Sequence, residues 1–104
     1  MRKISPIQFI GKRAWDAMGI ETIEGLTTVR LHWADAPYQW HVNDGPEVFV
    51  VLDGEVNMHA RSGNEVIIHN LRAGDIFHAE DGDEHLAHPV AAARVLVIER
   101  EGSV

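Results

Sequence analysis

Two stretches of the chain concentrate the side chains able to ligate or to move protons. The first is Tyr38-Gln39-Trp40-His41-Val42-Asn43-Asp44-Gly45-Pro46-Glu47, and the second is Gly74-Asp75-Ile76-Phe77-His78-Ala79-Glu80-Asp81-Gly82-Asp83-Glu84-His85. In an extended chain alternate residues share a face, so Gln39, His41 and Asn43 are expected to project together. Glu47 opens an apolar run after the turn that Gly45-Pro46 forces, and if Phe49 and Val51 face a core, Glu47 faces it too. A carboxylate aimed into a core is costly unless it is paired, hydrogen-bonded or bound to a cation. A histidine on the same face gives it a partner. His41 and Glu47 therefore form the nucleus of a candidate site, which His85 can close from another strand.

The elements that must position these residues read as strands. Thr27–Trp33 alternates Val29, Leu31 and Trp33 against Thr28, Arg30 and His32, the two-residue period of a half-buried strand. Glu47–Leu52 is a dense β-branched run, expected to be buried on both faces. Glu55–Arg61 and Glu65–Leu71 form a hairpin about Ser62-Gly63-Asn64, with Ala60 expected opposite Glu65 and Met58 opposite Ile67. Ile76–Ala79, Leu86–His88 and Ala93–Arg100 complete the set, separated by turns at Ala73-Gly74-Asp75 and Glu80–Glu84. Lys12–Met18, ended by Gly19, is the one helical expectation, a turn or two at most. The apolar segment Ile4–Ile10 is expected to add an edge strand, since Pro6 excludes a central one. Many short strands between glycine-containing turns specify an all-β, small antiparallel barrel or sandwich.

Composition narrows the chemistry. The chain has 104 residues, room for one domain over residues 1–104. It has no cysteine, which excludes disulfides, iron–sulfur clusters, thiolate zinc sites and a cysteine nucleophile. Any metal would be held by histidine, carboxylate or carboxamide. With 16 Asp plus Glu against 9 Lys plus Arg the formal charge is −7, a sign that repels nucleic acid and anionic lipid. No apolar run reaches a membrane span, and Arg2-Lys3 is not followed by the apolar stretch of a secretion signal, so a cytoplasmic protein is expected. Seven histidines stand out.

The two ligand-rich stretches resemble the paired motifs of the cupin superfamily, small jelly-roll barrels, or double-stranded β-helices. In the first motif, about 39–54, His41-Val42-Asn43 stands at the His-x-His position, three residues lead to Glu47 and six more to Gly54. In the second, about 74–89, Gly74, Gly82 and His85 fall at the required offsets. The resemblance covers about Leu31 to Pro89. Four positions depart from the pattern: Asp35 replaces a glycine, Glu80 a proline, Pro89 an asparagine and Asn43 the second histidine. The resemblance implies a metal held by His41, Glu47 and His85, with Asn43 offering only a neutral amide oxygen. An alternative register makes Gln39 and His41 the ligand pair, at the expense of one extra residue before Glu47.

Two histidines and a carboxylate suit iron, manganese, nickel or zinc. The resemblance thus implies a divalent transition metal and an oxygenase, isomerase or lyase acting on a small molecule in the barrel. The alternative is a non-catalytic metal- or ligand-binding module that has lost part of the metal site. Tyr38, Trp40, Phe49 and His69 are candidate pocket residues, while His32, His59, His78 and His88 read as surface or packing positions. Arg94, Glu99 and Arg100 read as exposed. The resemblance further implies a homodimer that protects its strand edges.

Overall fold

The computed structural model describes residues 1–103. Nine strands form two antiparallel sheets: β1 (Asp16–Ile23), β2 (Thr27–Ala34), β3 (His41–Val42), β4 (Glu47–Asp53), β5 (Glu55–Ser62), β6 (Glu65–Arg72), β7 (Ile76–Ala79), β8 (Glu84–Pro89) and β9 (Ala93–Arg100). One sheet runs β1-β2-β9-β4-β7 and the other β3-β8-β5-β6. This is an all-β jelly-roll. The facing sides enclose a core of Phe49, Val51, Val56, Met58, Leu71, Ala87, Ala93, Val95 and Val97. Among the described residues no helix is long and apolar enough to cross a membrane.

The two-residue period decides which side chains enter that core. Along β4, Glu47, Phe49 and Val51 are buried, Val48 and Val50 are half-buried and Leu52 is exposed. The strand therefore alternates, where its β-branched density suggested burial on both faces. β5 and β6 pair with Ala60 opposite Ile67 and Met58 opposite His69, two residues from the expected register. The strands extend to Ser62 and Glu65, leaving Gly63-Asn64 as a tight turn with Gly63 at φ 63°. A two-residue slip preserves faces, so Met58 stays fully buried.

Two expectations at the N-terminal end fail. Lys12–Met18 is not helical: Asp16–Ile23 is β1, an edge strand that hairpins onto β2 through Glu24 and Gly25, both at positive φ. Gly19, taken as a helix stop, lies at a bulge between Gly19 and Glu21, and a glycine at a bulge weakens the alternation that signals a strand. Ile4–Ile10 adds no strand. Its regular part is a 3-10 turn over Pro6–Gln8, and Arg94 ties the segment down by donating from Nε to the Phe9 carbonyl at 2.9 Å. That contact and the 2.8 Å ion pair with Asp53 bury Arg94, which the alternation of β9 had placed at the surface.

Gly54 joins β4 to β5 at φ 84°, and a Cβ there would stand 2.7 Å from the Ala92 carbonyl oxygen. Only glycine fits both the backbone conformation and the gap. This turn starts β4 and β5 into opposite sheets.

Candidate metal centre

The shortest strand delivers a site residue. β3 pairs with β8 so that His41 is the direct cross-strand partner of His85, and opposite residues of an antiparallel pair hold their Cβ atoms about 4.5–5.5 Å apart. Their ring centroids lie 4.4 Å apart. Just beyond β3, the Asn43 N–H donates to the Asp83 carbonyl and the Gly82 N–H donates to the Asn43 carbonyl, both at 2.8 Å. These bonds lock the approach to β8 against the end of β3, with Gly82 at φ 89° making the turn. Glu47 arrives from the other sheet as the first residue of β4, next to Ala79 of β7 and Glu99 of β9. The centre thus bridges the two sheets at one end of the barrel.

His85 is 2% exposed and Glu47 and Asn43 are 7% exposed. His85 Nε2 sits 2.8 Å from Asn43 Oδ1 and 3.0 Å from Glu47 Oε1. His41 Nδ1 is 3.1 Å from the Gln39 carbonyl, and an N–H donated there leaves Nε2 with its lone pair free. Burial works against the Glu47 carboxylate, but the His85 ring, with His41 and a hydrogen bond from Glu99, holds its pKa below the usual glutamate value. Glu99 is pushed the other way, first by burial and then by the charge of Glu47, against the pull of Arg30.

The donor set fits a metal ion. One ligand atom from each of His41, Glu47 and His85 lies within 4.8 Å of the others. Metal bonds of about 2.0–2.2 Å place neighbouring ligand atoms roughly 3 Å apart, so small side-chain rotations bring the three onto one ion. Glu47 Oε1 and Asn43 Nδ2 are buried without a hydrogen-bond partner, and the close approach of Glu47 Oε1 to His85 Nε2 lacks hydrogen-bond geometry. Buried polar atoms left in this state require an explanation, and a cation beside Glu47 Oε1 supplies one.

The centre opens into a cavity of about 360 Å³ lined by His41, Glu47, His85, Tyr38 and Phe49, together with Trp15, Arg30, His32 and Glu99. Tyr38 is held by its N–H to the Ala87 carbonyl at 3.0 Å and packs edge-on against His41 and Trp15. Three candidate pocket residues lie elsewhere. The Gln39 side chain is exposed because β3 begins only at His41, and the residue serves through its carbonyl. Trp40 is exposed, its ring under the Arg61 guanidinium. His69 is exposed beside Phe77 because residues 61–70 are uncovered on both faces of the β5–β6 hairpin. Glu99, read as exposed, and His32, read as a surface or packing position, both turn inward. Glu99 is 7% exposed because β9 is central in its sheet, and His32 lines the cavity from β2. The strict alternation of Thr28, Arg30 and His32 marked one shared face, which the apolar face opposite made look like the solvent side.

No family model matches the chain, and no curated protein matches it. Solved structures do. A cupin-2 domain protein from Shewanella frigidimarina superposes with a TM-score of 0.74 at 23% identity, covering 88% of this chain and 85% of that one. An RmlC-like cupin from Desulfovibrio desulfuricans gives 0.73 at 19% identity, covering 94% of each chain. An oxalate oxidase gives 0.62 at 20% identity over 69% of this chain and 40% of that one. These structures share the all-β jelly-roll of two antiparallel sheets, and the fold of this chain is that of a small cupin.

Proposed function

We propose that the protein binds one divalent transition metal ion through His41, Glu47 and His85, with Asn43 beside it, and acts on a small molecule that enters the adjoining cavity. The observation that carries this reading is the convergence of three ligand atoms from two sheets within 4.8 Å, with Glu47 Oε1 buried and unpartnered among them. Iron, manganese, nickel and zinc all accept this donor set. When bound, such an ion supplies Lewis acidity and open coordination positions, the chemistry that oxygenases, isomerases and lyases use. The chain's own residues hold the ion on one side and shape the cavity on the other. Tyr38, Trp15 and Phe49 give the cavity an apolar wall, and the likeness to an oxalate oxidase supports a small-molecule substrate.

A second reading, a non-catalytic binding module, draws on Asn43. It stands where a third histidine would complete the set, and its Oδ1 lies within hydrogen-bonding distance of His85 Nε2. Metal content separates the readings at their common base. Protein purified without chelator and supplemented with each of the four ions is expected to carry one ion per chain by mass spectrometry. His41→Ala and His85→Ala are expected to lose it. Metal-free protein under all four supplements overturns the metal reading and favours the non-catalytic module that has lost part of the site.

The protein is further proposed to pair as a homodimer. β6 is an edge strand whose Val66, Ile67 and Ile68 are 45%, 46% and 56% exposed, and an apolar edge of this kind invites pairing. Light scattering that returns a monomer at micromolar concentration refutes it.

A further inference from the structure

The cavity has a cationic feature that metal binding leaves unused. Arg30, on β2, donates from one terminal nitrogen to Glu99 Oε1 at 2.5 Å, while its Nε is buried with no acceptor at all. A buried guanidinium N–H without a partner is uncommon enough to call for one, and a guanidinium edge suits the two oxygens of a carboxylate. Arg13 lines the same cavity and adds a second positive charge. Asp16, also on the lining, accepts from the backbone N–H groups of Lys12 and Ala17. His32 does not compete for the anion. Its Nδ1 lies 3.3 Å from the Trp15 carbonyl, and burial lowers its pKa, so the ring is neutral. Arg13 and Arg30 thus line one partly apolar chamber, which they share with Asp16, Glu47 and Glu99.

We propose that this cavity receives a small carboxylate with a flat apolar body, its carboxylate bound at Arg30 and its body against Trp15, Tyr38 and Phe49. The proposal rests on the metal reading for the identity of the reactive end of the chamber, and on Arg30 alone for the class of ligand. A volume of about 360 Å³ lies at the small end of ligand pockets and suits a single ring.

Benzoate and benzamide, nearly identical in shape and different in charge, are the probes, titrated by calorimetry into zinc-supplemented protein whose metal content has been measured. Benzoate is expected to bind at least about tenfold tighter than benzamide. Arg30→Met is expected to remove that preference while leaving zinc per chain unchanged. Arg30→Lys keeps a charge beside Glu99 but lacks the Nε–H, so it should fold and still lose most of the preference. Equal binding of the two probes, no benzoate binding at millimolar concentration, or an unchanged preference in Arg30→Lys overturns the proposal. Failure of the metal reading appears separately, as absent zinc, and the dependence on Arg30 is then judged by the same criteria on metal-free protein.

Discussion

If one ion ties β3 and β8 to β4, its removal should loosen the seam between the two sheets, and thermal unfolding will report this. Binding to the native state alone stabilises by RT ln(1 + [L]/Kd), about 2.7 kcal/mol when free metal stands at a hundred times Kd. For a domain of this size each kcal/mol moves Tm by roughly 4–8 °C, so saturation should raise it by roughly 10–20 °C over chelated protein. His85→Ala deletes one of three donors whose ligand atoms lie within 4.8 Å. Altering a group that merely orients a ligand costs about 10–100-fold in affinity, so losing a ligand should cost at least the upper figure. At the same free metal the variant then sits near its own Kd, where the remaining stabilisation is only about 0.4 kcal/mol, or roughly 2–3 °C. Comparing each protein with and without chelator cancels the effect of the void left by the imidazole. Differential scanning calorimetry in zinc and in chelator is the assay. An equal metal-induced shift in parent and variant, or none in the parent, refutes the assignment of His85.

Three further outcomes are expected. Burial lowers the pKa of His32 from 6.5, so the folded protein binds fewer protons than the unfolded chain as pH falls; stability present above about 6.5 is lost on acidification, and His32→Gln should flatten that loss in urea titrations from pH 7 to 5. Gly54→Ala should destabilise by at least about 2 kcal/mol in chemical denaturation, since it adds a Cβ 2.7 Å from the Ala92 carbonyl oxygen at φ 84°; a loss below about 0.5 kcal/mol would show that the turn adjusts. Met58→Ala should cost about 2–5 kcal/mol by the same measurement, because Met58 is fully buried between the sheets.

Much of this was legible in the residue order, and what was missed has physical causes. The period of two located β2, and β-branched density with turn signals located β4 through β9, even where, as in β6, most of the strand is exposed. β1 escaped because its apolar residues are partly exposed and its alternation breaks at the Gly19–Glu21 bulge. The ligand-rich segments could be picked out by side-chain chemistry, but nothing local says that His41 and His85 are opposite each other; that follows from β3 pairing with β8 across forty-odd residues. Arg30, His32 and Glu99 were hardest to assign. β2 buries Leu31 completely on one side and lines the cavity with Arg30 and His32 on the other. A strand between two different environments looks, in sequence, like one with a wet side.

The brevity of β3 has a kinetic consequence. His41 hangs from a ladder of two residue pairs, flanked by the backbone bonds of Tyr38 and Asn43, and its neighbour Val42 is 57% exposed. Segments with so few protected backbone bonds open far more often than the whole molecule unfolds. Glu47 and His85, by contrast, sit in strands paired on both sides. Exchange of a bound ion should therefore follow the fraying of this one short segment, with a half-life shorter than that of global unfolding and shortened further by a glycine at position 42.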